Sequence, residues 1–386
     1  MDFLMLNPFF FPYQGGTEKH VLEVSRRLAK RNDVTVLTAQ VPGTKKFEEL
    51  DGVKVKRVPC MIFSELPKPV PPPAPVSPFF LSALLAETGR HDVFHFHNRF
   101  FYTLLDVAVS KRIGRQKVGW TLHNARLKGI DPATDFFGDL YDCVIGKKIL
   151  GACHALAAVS ANTMEITAPK PFLGKSRVIY NGVDVDLYHP RNKEEDVRKR
   201  YGLPQKRLIL SIARLMPQKG FSYLLQAFAK IREEEKDAAL VILGKGPLEA
   251  VLRQEASSLG IAKDVFFITQ KITEADLTQL YAACEFFVLA SVWEPFGMVV
   301  CEAMAAGKPV IGSDIGGIPE IITPECGFLA EPRNIGDLQN KIQRLLDDEG
   351  LRKKFSIEGR RRCENRFTWD QSAKGYEELY RQVFEG

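Results

Sequence analysis

The chain lacks any run of about 18 apolar residues, which excludes an ordinary membrane-spanning helix. It has no Cys-x-x-Cys pair, and its seven cysteines (60, 143, 153, 284, 301, 326 and 363) are scattered and odd in number. A disulfide framework and a zinc ribbon are thereby disfavoured, and reduced, mostly buried thiols are expected. No G-x-G-x-x-G occurs, which counts against a nicotinamide dehydrogenase, and no P-loop signature occurs. The start, "MDFLMLNPFFFPYQGG", is apolar but has neither a basic lead nor a small-residue cleavage site. The expected location is cytoplasmic, with peripheral contact at the inner membrane face left open.

What is present is a globular composition: 386 residues, 45% hydrophobic and 26% charged. That length suits two domains of about 150–200 residues. The net charge of +6 is unevenly shared, because residues 1–180 hold 24 Lys/Arg against 16 Asp/Glu and the remainder 29 against 31. The basic half is where an anionic partner would be sought: an acidic membrane surface or a phosphate-bearing acceptor ahead of nucleic acid, which is not expected. A solvated face explains the excess equally well.

Short apolar runs alternate with amphipathic segments. "DVTVLTA" (33–39), "DVFHFH" (92–97), "KVGWTLH" (117–123) and "ALAAVS" (155–160) read as parallel strands, with a helix over 17–31. The second half repeats the alternation at 207–215, 237–246, 263–269, 284–291 and 308–314, with a helix over 220–235. The fold class is therefore α/β: two Rossmann-like, doubly wound parallel-sheet domains facing a cleft, with ligands at the carboxyl ends of the strands. A change of grammar at 180–202 marks the boundary, where "DVD" (184–186) reads as a turn rather than a metal-binding pair. The proline-rich 67–80 cannot be a helix or central strand and reads as a surface loop. "FFLSALLAE" (79–87) is too short to span a bilayer and reads as core.

Chemistry is sought in the loops after strands. In "SIARLMPQKG" (211–220), Arg214 and Lys219 stand at a strand's carboxyl end beside a helix start, which suits a diphosphate. Gly244 and Gly246 of "LGKGP" would let backbone approach a phosphate or sugar, and Gly15-Gly16 would do so from the first domain, ahead of a helix capped by Thr17. In "SVWEPFGMVVCEAMAAGKP" (291–309), Glu294 lies on a turn and Glu302 in the first turns of a helix starting near Met298. Glu302 there suits ribose hydroxyls, Glu294 those of a transferred sugar, and the N–H groups of Phe296, Gly297 and Met298 that sugar and its phosphate. His95, His97 and His123 fall at or near strand ends, where a zinc triad is conceivable but not favoured.

This ordered set resembles the retaining glycosyltransferases of family 4, with the GT-B fold. The match includes Gly15-Gly16, "DVFHFH", "WTLHN", "AVS", "YNGVD", S-x-x-R-x-x-x-x-K-G (211–220), "LGKGP", the E-x7-E pair (294, 302), "GGIPEII" (316–322) and "FTWDQSAKGYEELYRQVF" (367–384), and extends along nearly the whole chain. Departures are Gln270 and Asn32, where relatives often have glycine. The resemblance implies an acceptor-side domain over 1–182, a nucleotide-sugar domain over 183–366, and a last helix, about 367–386, crossing back to the first. By position it implies that Arg214 and Lys219 hold the donor diphosphate, Glu302 the ribose and Glu294 the sugar, with Gly16 against the leaving phosphate and His123 beside the reacting carbon.

The expected reaction is metal-independent transfer of a hexose-type sugar, with retention, from a nucleoside diphosphate sugar to a hydroxyl acceptor. No cofactor is expected, and the acceptor is lipid-linked, a glycan or a small molecule. Arg214, Lys219 and helix N-termini would stabilise the departing diphosphate. Two rivals stay open: an epimerase or phosphorylase on the same fold, and a silent nucleotide-sugar binding protein.

Overall fold

A computed structural model describes all residues except 14, 64–73, 98–114, 125–145, 169, 195 and 386. The chain divides into two compact units, one of residues 1–181 with 369–386 and one of residues 182–368.

The first unit is built on β1 (Asp2–Leu6), α1 (Gly16–Leu28), β2 (Asp33–Ala39), β3 (Phe47–Leu50) and β4 (Val53–Val58). There follow β5 (Met61–Phe63), β6 (Ala74–Val76), α2 (Phe80–Leu85), β7 (Val93–His97), β8 (Lys117–Leu122), α3 (Lys147–Ala152), β9 (Ala155–Ala158), α4 (Ala161–Thr167) and β10 (Ser176–Val178). Eight strands form one sheet in the order β10-β9-β8-β7-β1-β2-β4-β3, parallel except for β3 against β4. Central strands such as VFHFH are buried along their whole length, as a sheet covered on both faces requires. β5 and β6 make a separate two-stranded ribbon, where Pro75 is tolerated because both strands are edges. Residues 67–73 of the proline-rich stretch lie outside the described residues; 74–76 form β6 and Phe80 opens α2, whose Phe80 and Leu84 are buried.

The second unit begins with a turn in which the Asp184 carboxylate accepts from the N–H groups of Asp186 and Leu187, the local bonding expected of an Asp turn. It continues through α5 (Val197–Arg200), β11 (Arg207–Ile212), α6 (Phe221–Glu234), β12 (Ala238–Leu243), α7 (Glu249–Ser258), β13 (Val265–Ile268) and α8 (Glu274–Ala283). Then come β14 (Cys284–Leu289), α9 (Met298–Ala305), β15 (Val310–Ser313), α10 (Ile318–Ile321), β16 (Gly327–Ala330), α11 (Ile335–Asp347) and α12 (Glu349–Arg366). Its six parallel strands run β13-β12-β11-β14-β15-β16, the doubly wound order, with the reversal between β11 and β14. The core gathers Ile209, Leu240, Ile242, Phe286 and Val288 of the strands against Phe228 and Ile231 of α6 and Leu345 of α11.

The last helix, α13 (Trp369–Glu385), belongs to the first unit. Its Tyr380 ring meets Phe3 of β1 edge-on at 5.7 Å, Ser372 donates to the Tyr180 carbonyl, Glu377 accepts from Asn32 and Glu378 pairs with Arg177. Among the described residues no helix is long and apolar enough to cross a membrane, and the six described cysteines are free thiols.

Candidate functional site

In the second unit the loops leaving β11, β12, β14 and β15 meet at the carboxyl edge of the sheet, around the point where strand order reverses. They are laced by backbone hydrogen bonds. Leu215 N–H donates to Lys245, Val292 N–H to Gln218 and Gly317 N–H to Glu294, at 2.9, 2.9 and 3.0 Å. A framework of this kind fixes its side chains with little freedom to relax.

The glycines are the hinges of that lacing. Gly220 turns with φ +67°, and a Cβ there would meet the Ala290 carbonyl oxygen at 1.9 Å. A Cβ on Gly244 would meet the Ala213 oxygen at 1.9 Å, and one on Gly246 the Leu215 oxygen at 2.3 Å. From sequence, these last two glycines are expected to allow close approach of a ligand. Crowding by the neighbouring loop accounts for both glycines without one.

Four side chains stand on this framework. β11 ends at Ile212, two residues before the Arg214 of the sequence reading; Arg214 is exposed and makes no ion pair among the described residues. Lys219 closes a short 3-10 turn, and its Nζ donates to Glu294 Oε2 at 2.7 Å, with both side chains largely buried. Ser291 Oγ lies 3.4 Å from the same carboxylate oxygen. One cation of the expected diphosphate pair is thus already held by the carboxylate expected to bind the sugar, a contact that spacing along the chain does not reveal. Arg214, Lys219 and Glu294 together carry one net positive charge.

Glu302 is the fifth residue of α9 and is 6% exposed. The buried Tyr281 hydroxyl donates to its Oε2 at 3.1 Å, and burial, together with the Glu302 charge, pushes that phenol well above its ordinary value. Tyr281 escaped the sequence reading; its signal would have been a tyrosine in the mostly apolar run "LTQLYAACEFF". Phe296 is buried with its ring edge-on to Phe367 at 5.9 Å. Gly297, at φ +107°, is the N-cap of α9, so the N–H groups of Met298 and Val299 fall in the first turn, where no intrahelical acceptor exists. A hollow of about 450 Å³ lined by Glu285, Lys308, Arg352 and Lys353 lies at the opposite, amino-terminal edge of this sheet.

In the first unit, Gly15 is the N-cap of α1 and Gly16 its first residue, so Thr17 lies inside the helix and is not the cap. The Glu18 side chain folds back over Gly15: a Cβ there would fall 2.1 Å from Glu18 Oε2. The positive end of this helix therefore has a carboxylate of its own beside it.

His123 follows β8 and is 7% exposed; its Nε2 lies 2.9 Å from His97 Nδ1. The imidazoles that cluster here are His20, His97 and His123, with one nitrogen of each within 4.8 Å of the others, rather than the 95, 97 and 123 considered from sequence. His20 has both nitrogens committed, Nδ1 to Asn181 Oδ1 at 2.7 Å and Nε2 to the Tyr376 hydroxyl at 2.9 Å. A cation drawing on all three rings would have to displace one of these partners. His95 bonds Tyr380 and Thr121, and Thr121 bonds Tyr376. Burial lowers all four imidazoles, His20 to about 4 and His95 to about 3, so the cluster is neutral near pH 7. His20 was missed in the sequence, although its four-residue spacing from Val24 and Leu28 puts it on the buried stripe of α1.

Comparison with known proteins agrees with this architecture. Residues 14–187 match the profile of Glycosyltransferase Family 4 and residues 193–362 that of Glycosyl transferases group 1. The N-acetyl-alpha-D-glucosaminyl L-malate synthase of Bacillus anthracis is 26% identical over 97% of this chain and 95% of its own. An uncharacterized glycosyltransferase of Methanocaldococcus jannaschii, MJ1607, is 34% identical, and the match spans 55% of each chain, about half the length of that relative. Among solved structures, sucrose-phosphate synthase from Thermosynechococcus elongatus superimposes with a TM-score of 0.80 at 23% identity, covering 100% of this chain and 99% of that one. Two doubly wound units, the loops at their strand ends and both family profiles converge: the chain is a family 4, group 1 glycosyltransferase with the GT-B fold.

Proposed function

We propose that this glycosyltransferase moves a hexose-type sugar from a nucleoside diphosphate sugar to a hydroxyl acceptor, with retention at the anomeric carbon and without a catalytic metal. The observation that carries the reading is the Lys219–Glu294 ion pair at the sheet's reversal point, with Arg214 and the start of α9 on the same strand-end loops.

A diphosphate arriving there would draw on Arg214, on Lys219 and on the first-turn N–H groups of α9. As its bond to the sugar breaks, negative charge grows on the leaving oxygen, and fixed cations and dipoles stabilise that growth without reorganising. Lys219 would then divide between phosphate and Glu294, leaving Glu294 lone pairs for sugar hydroxyls. Glu302, steadied by Tyr281, would accept from the ribose hydroxyls. On the first unit, Gly15, Gly16 and His123 are proposed as ligand-contacting residues in their own right.

Both carboxylates are engaged, Glu294 by Lys219 and Glu302 by Tyr281, which leaves neither as the general base that an inverting attack requires. Neither is presented as the nucleophile of a double displacement. Same-face attack by the acceptor, its proton taken by the leaving phosphate, conserves the configuration.

For the acceptor, the excess of Lys/Arg within residues 1–180 and a near-full-length relative named for L-malate both favour a hydroxyl compound that carries negative charge. An anionic lipid-linked acceptor at a membrane surface has the same charge, and assays with soluble and vesicle-borne acceptors separate the two.

The first test is a thermal-shift panel of UDP, GDP, ADP and their hexose conjugates, run with excess chelator. One nucleotide series should raise the melting temperature by mass action, by several degrees at about 100-fold over Kd. No shift with any of them, or shifts only when a divalent cation is restored, contradicts the reading.

A further inference from the structure

We propose that His97 is a positioning residue that fixes His123 as the neutral tautomer with its proton on Nδ1, so that His123 meets a ligand as a hydrogen-bond donor and not as a base. The functional half of this rests on the reading of His123 as a site residue; the tautomer does not.

His97 Nδ1 and His123 Nε2 are 2.9 Å apart and share one hydrogen. His97 Nε2 is buried and has no partner among the described residues. A neutral imidazole carries one N–H, so only two arrangements are possible. If His123 donated from Nε2, His97 would have to carry its own proton on Nε2, as an orphaned donor in the core. If His97 donates from Nδ1, the orphan is a bare lone pair. Unpaired buried N–H groups are rarer than under-used acceptors, and burying a donor with no acceptor forfeits a whole hydrogen bond. The second arrangement is therefore the one selected, and it leaves His123 with its proton on Nδ1.

The neighbouring rings cannot reverse the choice. Asn181 Oδ1 can only accept, so His20 donates from Nδ1 and its Nε2 accepts from the Tyr376 hydroxyl. That hydroxyl then accepts from Thr121, which accepts from His95 Nε2, and His95 Nδ1 accepts from Tyr380. This chain runs one way, from Tyr380 to Asn181, and exchanges no proton with the His97–His123 pair. It holds the His20 ring edge-on to His123, at 4.7 Å and 80°, as a wall behind it.

The test uses the full chain labelled with 15N-histidine, the tautomers being read from long-range 1H–15N correlations at neutral pH. In the wild type, and in His97→Asn, whose amide nitrogen replaces the Nδ1 donor, His123 should be protonated on Nδ1 and bare on Nε2. His97→Leu should lose this signature. Turnover of whichever of UDP-glucose, GDP-mannose or ADP-glucose stabilises the protein should fall about tenfold or more in His97→Leu, mainly in kcat, and be largely restored in His97→Asn. A His123 that is protonated on Nε2, or doubly protonated, overturns the proposal from the wild-type spectrum alone, even if the leucine variant fails to fold. An Nδ1–H signature combined with unimpaired turnover in His123→Phe overturns the donor role and, with it, the placement of His123 at the site.

Discussion

Glu294 is fixed from two directions: its carboxylate takes the Lys219 ammonium, and its backbone oxygen accepts from Gly317. The neighbouring Gly316 has φ +60°, and a Cβ there would lie 1.9 Å from that same backbone oxygen. Gly316→Ala therefore forces the turn holding Glu294 away from the loop after β15. Unfolding in urea should show a loss of about 1–3 kcal/mol, and KM for the donor should rise as the carboxylate leaves Lys219. An unchanged KM at reduced stability would detach the lacing from ligand binding. The residue scale is also where sequence reading stopped short. Both members of the E-x7-E pair stood out by spacing, but their partners, Lys219 and Tyr281, lie 75 and 21 residues away, and such contacts depend on packing that no local pattern encodes.

Among the elements, α13 brings Tyr376 and Tyr380 to the buried histidines of α1 and β7. Burial leaves these imidazoles neutral in the folded chain, whereas the unfolded chain takes up protons near 6.5. The unfolded state thus binds more protons once pH drops below about 6.5, and stability falls with pH until the folded rings also protonate, near 4 for His20. His20 alone contributes a loss of about 3 kcal/mol across that window. Urea midpoints measured from pH 7 to pH 4 should fall along this slope, less steeply in His20→Asn; a flat profile would contradict the neutral cluster. Buried elements were the ones legible in the sequence. Asp33–Ala39 reads as a strand with the bounds it has, because a strand covered on both faces is one apolar run. β3 and β4, with the sequences FEEL and VKVKRV, were missed, since β3 is the edge strand and charged residues interrupt the apolar run of both. α12 has only Phe355, Gly359 and Cys363 buried in 18 residues, too sparse a stripe to announce a helix.

For the whole molecule, two sheets written in the same β/α grammar placed the chemistry after strands, and the doubly wound strand orders put Arg214, Lys219, Glu294 and the start of α9 on loops at one sheet edge. The fold was readable because parallel order follows from alternation; the histidine cluster was not, because it joins residues 20, 97, 123 and 376 across most of the first unit. The claim on which the account depends is that this edge receives a diphosphate as the glycosyl bond breaks. Steady-state turnover of the preferred hexose nucleotide by Arg214→Ala and Lys219→Ala tests it most directly. The account predicts a loss in kcat on the order of 10²–10³ in each variant, with the fold retained; turnover close to wild type in both would contradict it.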